Sequence, residues 1–134
     1  MKTCVVYFSR TGNTKRMAEA ISDLLKAPTF DMASSEPSVV ENYDLLIVGT
    51  PVEGFRPAKE TVAFVERLPK GEGKKAILFC TYALWKGGTF RALTKKLSNK
   101  GYGILLNVSK KGMKQNKPAN FTDCLDEIKK VLEK

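Results

Sequence analysis

Four short stretches of this chain are apolar almost without a break: Cys4-Val5-Val6-Tyr7-Phe8, Leu45-Leu46-Ile47-Val48-Gly49, Ala76-Ile77-Leu78-Phe79-Cys80 and Ile104-Leu105-Leu106, with Val108 two positions further on. A strand wet on one side alternates apolar and polar residues. Asp44–Gly49 and Lys75–Cys80 have the near-continuous apolar character of strands covered on both faces, and helices packed above and below a mostly parallel sheet provide the cover. The segments between these stretches carry helical spacing instead. Met17, Ala18, Ile21, Leu24 and Leu25 form one stripe, ended by Pro28. Val62, Phe64, Val65 and Leu68 form a second, stopped by Pro69. Phe90, Leu93 and Leu97 form a third, ended around Gly101. The last and clearest joins Phe121, Cys124, Leu125, Ile128, Val131 and Leu132. Strands are therefore expected over Lys2–Phe8, Asp44–Gly49, Lys75–Cys80 and Gly103–Val108, with a short one at Thr29–Met32. Alternating strands and helices with right-handed crossovers give an α/β fold, and five parallel strands in a chain of this length fit the order 2-1-3-4-5.

At 134 residues the chain suits one domain, taken as 1–134. No apolar run approaches the roughly 18 residues of a membrane span, and Met1-Lys2-Thr3-Cys4 leads straight into the first strand rather than into a leader. The expectation is a cytoplasmic protein without membrane contact. Cys4, Cys80 and Cys124 each lie in an apolar stretch, form no C-x-x-C pair and are read as buried small hydrophobes. Histidine is absent, which removes the usual zinc constellations, and no metal site is expected. Lys and Arg exceed Asp and Glu by 23 to 14, a net charge of +9 that favours acidic partners and speeds encounter with them. The basic residues are spread along the chain, so nucleic acid is not expected as a partner. The nearest cluster, Lys110, Lys111, Lys114 and Lys117 within Ser109 to Asn120, reads as a solvated loop or a docking patch. A monomer is expected, with the oligomeric state left open.

In a sheet of this order ligands bind beyond the carboxyl ends of the strands, where the order reverses. The residues there are Ser9 to Thr14 after the first strand and Thr50 to Arg56 after the third. The first loop suits an anion. It offers hydroxyls at Ser9, Thr11 and Thr14, an amide at Asn13 and close backbone approach at Gly12, and it opens into a helix whose first N–H groups are free. A bare helix cap needs one such side chain. This loop has four within six positions, so phosphate is the expected guest.

The run Tyr7-Phe8-Ser9-Arg10-Thr11-Gly12-Asn13-Thr14 resembles the T/S-x-T-G-N-T phosphate loop of flavodoxins. Tyr43 to Pro51 is similar to the flavodoxin third strand with the loop that flanks the flavin ring. Phe79-Cys80-Thr81-Tyr82 with Gly87-Gly88 stands in the place of the second ring loop. The resemblance spans nearly the whole chain and implies a flavodoxin-like three-layer sandwich that binds FMN. It assigns the phosphate to Ser9, Arg10, Thr11, Gly12, Asn13 and Thr14, mainly through backbone N–H groups. The ring falls to Thr50, Pro51, Val52, Glu53, Gly54 and Phe55 on one side, and to Thr81, Tyr82, Ala83, Trp85, Gly87 and Gly88 on the other. Phe55, Tyr82 and Trp85 compete as stacking partners. Glu53 departs from the family, where an aromatic is common in that loop. A carboxylate there disfavours an anionic reduced ring, or else points into water. The basic charge departs too, since many flavodoxins are acidic, and a positive field acts in the opposite direction.

The function implied is an electron carrier that passes electrons one at a time between redox partners with acidic docking surfaces; no residue is assigned a catalytic role. The alternatives are a small FMN-dependent NAD(P)H or quinone oxidoreductase, and a flavodoxin-fold binding domain without flavin, an option Glu53 keeps open. Cys4 to Thr11 also matches the C-x5-R-[S/T] phosphatase pattern, but Val5, Val6, Tyr7 and Phe8 belong to a strand and the match reads as coincidence. A receiver domain needs acidic residues where Phe8-Ser9 stand and an acceptor aspartate where Gly49-Thr50-Pro51 stand, and is excluded.

Overall fold

The structure, a computed structural model, describes residues 1–111 and 120–133. The chain runs β1 (Thr3–Tyr7), α1 (Asn13–Leu25), β2 (Thr29–Asp31), a 3-10 turn at Pro37–Asn42, β3 (Leu45–Glu53), β4 (Arg56–Pro57), α2 (Lys59–Glu66), β5 (Lys75–Tyr82), α3 (Thr89–Asn99), β6 (Gly103–Lys111) and α4 (Thr122–Leu132). Five strands form one parallel sheet in the order β2-β1-β3-β5-β6. Counting only those five, this is the 2-1-3-4-5 order expected from the alternation.

Successive strand residues point to opposite faces, and the sheet sorts its side chains into two cores accordingly. Val5, Tyr7, Leu45, Ile47, Ile77 and Phe79 meet Met17, Ala18 and Ile21 of α1 and Cys124 and Ile128 of α4 on one face. Cys4, Val6, Phe8, Leu46, Val48 and Leu78 meet Phe64 and Val65 of α2 and Leu93 and Leu97 of α3 on the other. Cover on both faces is why these strands carry no polar alternation. Gly49 is small for a packing reason: a Cβ there would lie 2.0 Å from Cζ of Phe79.

Three strand ends lie beyond their expected positions; that of β5 falls at Tyr82, two residues past Cys80. The third strand continues past Gly49 through Thr50, Pro51, Val52 and Glu53, because β5 continues beside it and pairs Thr50 with Cys80 and Pro51 with Thr81. Proline normally ends such a strand by withholding a donor. Here β1 has already stopped, its last residue Tyr7 paired with Gly49, and the Pro51 carbonyl accepts the Ala58 N–H at 3.3 Å. The fifth strand likewise includes Ser109, Lys110 and Lys111, paired with Cys80, Thr81 and Tyr82, so these three are not loop residues. Lys114 and Lys117 lie outside the described residues. A register shift places Leu105 as an extra residue in β6, since Ala76 pairs with Ile104 and Ile77 with Leu106.

Strand β4, the 3-10 turn and the early start of α2 are additions to the expected elements. β4 folds back antiparallel on the end of β3, pairing Arg56 with Glu53 and Pro57 with Val52. The two connecting residues, Gly54 and Phe55, both have positive φ, 60° and 64°. That backbone suits a two-residue hairpin turn and is unusual for a phenylalanine.

Candidate functional site

The carboxyl ends of β1, β3 and β5 bring the loops at 9–12, 53–56 and 83–88 to one end of the sheet. Gly12 caps α1 in the left-handed region, at φ 100°. Ser9 Oγ accepts the N–H groups of Gly12 at 3.1 Å and Lys15 at 3.2 Å, folding the loop over the helix start. Among the described residues the N–H groups of Thr11, Asn13 and Thr14 donate to no protein acceptor. They form a cluster of donors at a positive helix end, beside Gly12, which carries no side chain.

The side chains named for this loop divide. Thr14 does not face outward: it is buried, its hydroxyl 2.7 Å from that of Thr81, also buried. That pair locks α1 to β5. Asn13 Oδ1 accepts from Arg16 Nη2. Arg10 turns away from the helix end. Its guanidinium binds Glu53 at 2.5 and 3.0 Å and Glu60 at 2.7 and 2.9 Å, and lies 5.0 Å over the Phe8 ring. The hydrogen bonds to Glu53 and then Glu60 raise the guanidinium pKa further above its already high value. The Arg10 hydrogen bond lowers that of Glu60. The Glu53 carboxylate is thus paired rather than isolated, and Arg10 ties the first loop to the β3–β4 hairpin.

Thr50 is fully buried and serves the hairpin. Its hydroxyl donates to the Pro51 carbonyl at 2.9 Å and accepts from the Ala58 N–H at 3.1 Å and from the Thr61 hydroxyl at 2.9 Å. Beyond it Pro51, Val52 and Glu53 are half-buried. On the facing loop Tyr82 is half-buried, Ala83 and Gly88 are exposed and Gly87 is half-buried. The two loops touch at their tips. Phe55 and Trp85 have ring centroids 5.3 Å apart at 55°, and the Gly88 N–H donates to the Phe55 carbonyl at 3.1 Å. Gly87, at φ 55°, allows that approach: a Cβ there would lie 2.4 Å from the same carbonyl oxygen.

Large apolar side chains are exposed at this end, Leu84 by 84%, Trp85 by 64% and Phe55 by 48%. Aromatic and aliphatic surface left in water beside a cluster of free N–H donors fits a ligand with a flat apolar ring and a compact anion. Glu60, Thr61 and Leu84 are site neighbours that local sequence patterns do not single out. Arg10 and Glu60 are 50 positions apart, and only the folded chain joins them.

Cys4 sits in the middle of β1, fully buried, and desolvation pushes its thiol up to about 12. A nucleophile needs the thiolate. The phosphatase pattern is therefore broken at its first residue. Burial likewise pushes Cys80 up to about 12 and Cys124 to about 11.

Known proteins share this fold. The family model described as Flavodoxin domain matches residues 4–102. A flavodoxin of Clostridium beijerinckii is 32% identical, across 95% of this chain and 96% of its own. An uncharacterised protein of Methanocaldococcus jannaschii is 32% identical over 78% of this chain and 71% of its own. Among solved structures, two-electron reduced flavodoxin from Megasphaera elsdenii superposes with a TM-score of 0.81 at 24% identity, covering 98% of this chain and 99% of its own.

Proposed function

The chain belongs to the flavodoxin family, and from that premise we propose that it holds FMN at the carboxyl ends of β1, β3 and β5 and carries electrons singly between redox partners. The observation that carries this reading is the pairing of two features at one sheet end. One is the group of N–H donors at Thr11, Asn13 and Thr14 beside Gly12; the other is the exposed apolar lip of Phe55, Leu84 and Trp85. Bound FMN supplies one-electron redox chemistry, and the protein sets its potential through contacts and charge. The N–H donors would hold the phosphate without a cationic side chain, since Arg10 is committed to Glu53 and Glu60. Thr50 to Phe55 and Thr81 to Gly88 would flank the ring, with Phe55, Tyr82 and Trp85 excluding water from it. Pairing with Arg10 offsets the Glu53 charge, which supports a working flavin site over a domain that has lost one.

The chain 1–134 is read as one such domain, supported by two cores that share a single sheet. No described helix is long and apolar enough to cross a membrane. Three free, buried thiols fit a reducing, cytoplasmic setting. Absorbance titration of the purified protein with FMN, followed by stepwise reduction, tests the reading. Stoichiometric binding, two separable one-electron steps and no turnover of NAD(P)H are expected. NAD(P)H or quinone turnover would make the protein an enzyme, and failure to bind FMN would remove the flavin function.

A further inference from the structure

Beside the flavin end, but containing none of residues 9–14, a groove of about 830 Å³ runs between α2 and α3. Its apolar lining comes from Pro57, Val62 and Ala92, all buried or half-buried. Its exposed rim is cationic: Arg56, Lys59, Arg91 and Lys95. Among the described residues none of these four lies within 4 Å of a carboxylate. The acidic lining residue, Glu66, is already 3.8 Å from Lys96. The groove reaches Phe55 and Gly88, the same residues that join the tips of the two proposed ring loops.

We propose that this groove is the docking site for an acidic, partly apolar surface segment of a protein redox partner. The proposal rests on the flavin reading for the partner's redox character and on the groove itself for its chemistry. Charge complementarity selects an acidic occupant, because four cations face solvent with no carboxylate partner among the described residues. The apolar lining selects a protein segment over a free phosphate, which would gain nothing from Pro57, Val62 and Ala92. Contact with Phe55 selects a redox partner, because a segment seated there brings its parent protein to the lip of the ring site. A net charge of +9 adds long-range attraction to the same class of partner.

The test uses isotope-labelled, FMN-loaded protein, with flavin occupancy followed separately by absorbance. The probe is a synthetic amphipathic peptide with glutamates on one helical face and leucines on the other. A second peptide, with lysine in place of each glutamate, is the control. The acidic peptide is expected to shift amide signals of residues 59–66 and 89–99. Its affinity is expected to fall about tenfold in the Lys59→Gln/Arg91→Gln/Lys95→Gln protein and little in Lys129→Gln/Lys130→Gln on α4. The proposal is overturned if the footprint lies on α4, if the triple substitution leaves affinity unchanged, or if the lysine peptide binds as well. Displacement of the peptide by millimolar inorganic phosphate would overturn it too, by making the groove a small-anion site. Absence of peptide binding while FMN stays bound would remove the docking site and leave the flavin reading intact.

Discussion

Arg10 has the most connections at the site. It stands in the loop that the sequence assigns to phosphate, yet its guanidinium spans Glu53 at the end of β3 and Glu60 in the first turn of α2. Two carboxylates flanking one guanidinium are tolerated because the cation lies between them. Removing it leaves two like charges side by side, one of them in the proposed ring loop. Arg10→Gln is expected to weaken FMN binding several-fold and to lower the reduction potential, since an unpaired Glu53 opposes electron gain. Binding titrations and redox potentiometry check both. An unchanged potential would place Glu53 too far from the ring to matter. The Arg10 triad was not legible in the sequence because Glu53 and Glu60 stand 43 and 50 positions from Arg10 and meet it only in the folded chain. Glu53 was readable as a departure, but its neutralising partner was visible only after folding.

Among the elements, the apolar stretches of β1, β3 and β5 were legible because burial on both faces writes itself into a short run of residues, whereas the stretch in the outer strand β6 is half-buried with Leu105 exposed. The ends of those elements were less so. Pro51 gave a true local signal against a strand, and tertiary context overrode it where β5 ran on while β1 had stopped. The hairpin was missed for a related reason: Gly54-Phe55 lacks the Asn-Gly or Asp-Gly signature of such turns. Phe55 holds its positive φ inside a set of restraints that includes the Trp85 ring and the Gly88 N–H. Gly87→Ala would drive a methyl into the Phe55 carbonyl from a backbone that already disfavours a side chain. It is expected to destabilise the fold by about 1–3 kcal/mol. FMN affinity should fall further than global stability does, as the loop tips separate. Urea unfolding alongside flavin titration separates the two effects. The basic groove was hidden differently. Arg91 and Lys95 are one helical turn apart and readable as a pair, but Arg56 and Lys59 join them only when α2 packs on α3.

For the whole molecule, the thiols tie stability to alkaline pH. All three cysteines have folded-state values above the ordinary 9.0, Cys4 and Cys80 at about 12 and Cys124 at about 11. A raised folded value contributes stability that is complete below pH 9 and is lost as pH rises toward 11–12, because the unfolded chain ionises first. Stability should therefore fall above pH 9 by up to about 1.4 kcal/mol per unit for each thiol. Urea unfolding between pH 8 and pH 10.5 measures this. A Cys4→Ser/Cys80→Ser/Cys124→Ser protein with the same slope would rule the thiols out as its cause.

The extra residue in β6 bears on how copies of this protein meet. β6 is nine residues long and among the described residues has a sheet neighbour only on its β5 side, whereas the strand at the opposite edge, β2, is only three residues long. A long, straight outer strand is a template on which a second molecule can add its own strand and continue the sheet. Leu105 interrupts that template: the bulge bends the strand and breaks the regular row of outward N–H and C=O groups, while Lys110 and Lys111 place charge near its end. Deleting Leu105 would restore an even strand. Light scattering of that variant at high concentration should then report larger assemblies than the parent protein gives, a gain in self-recognition produced by the loss of one exposed leucine.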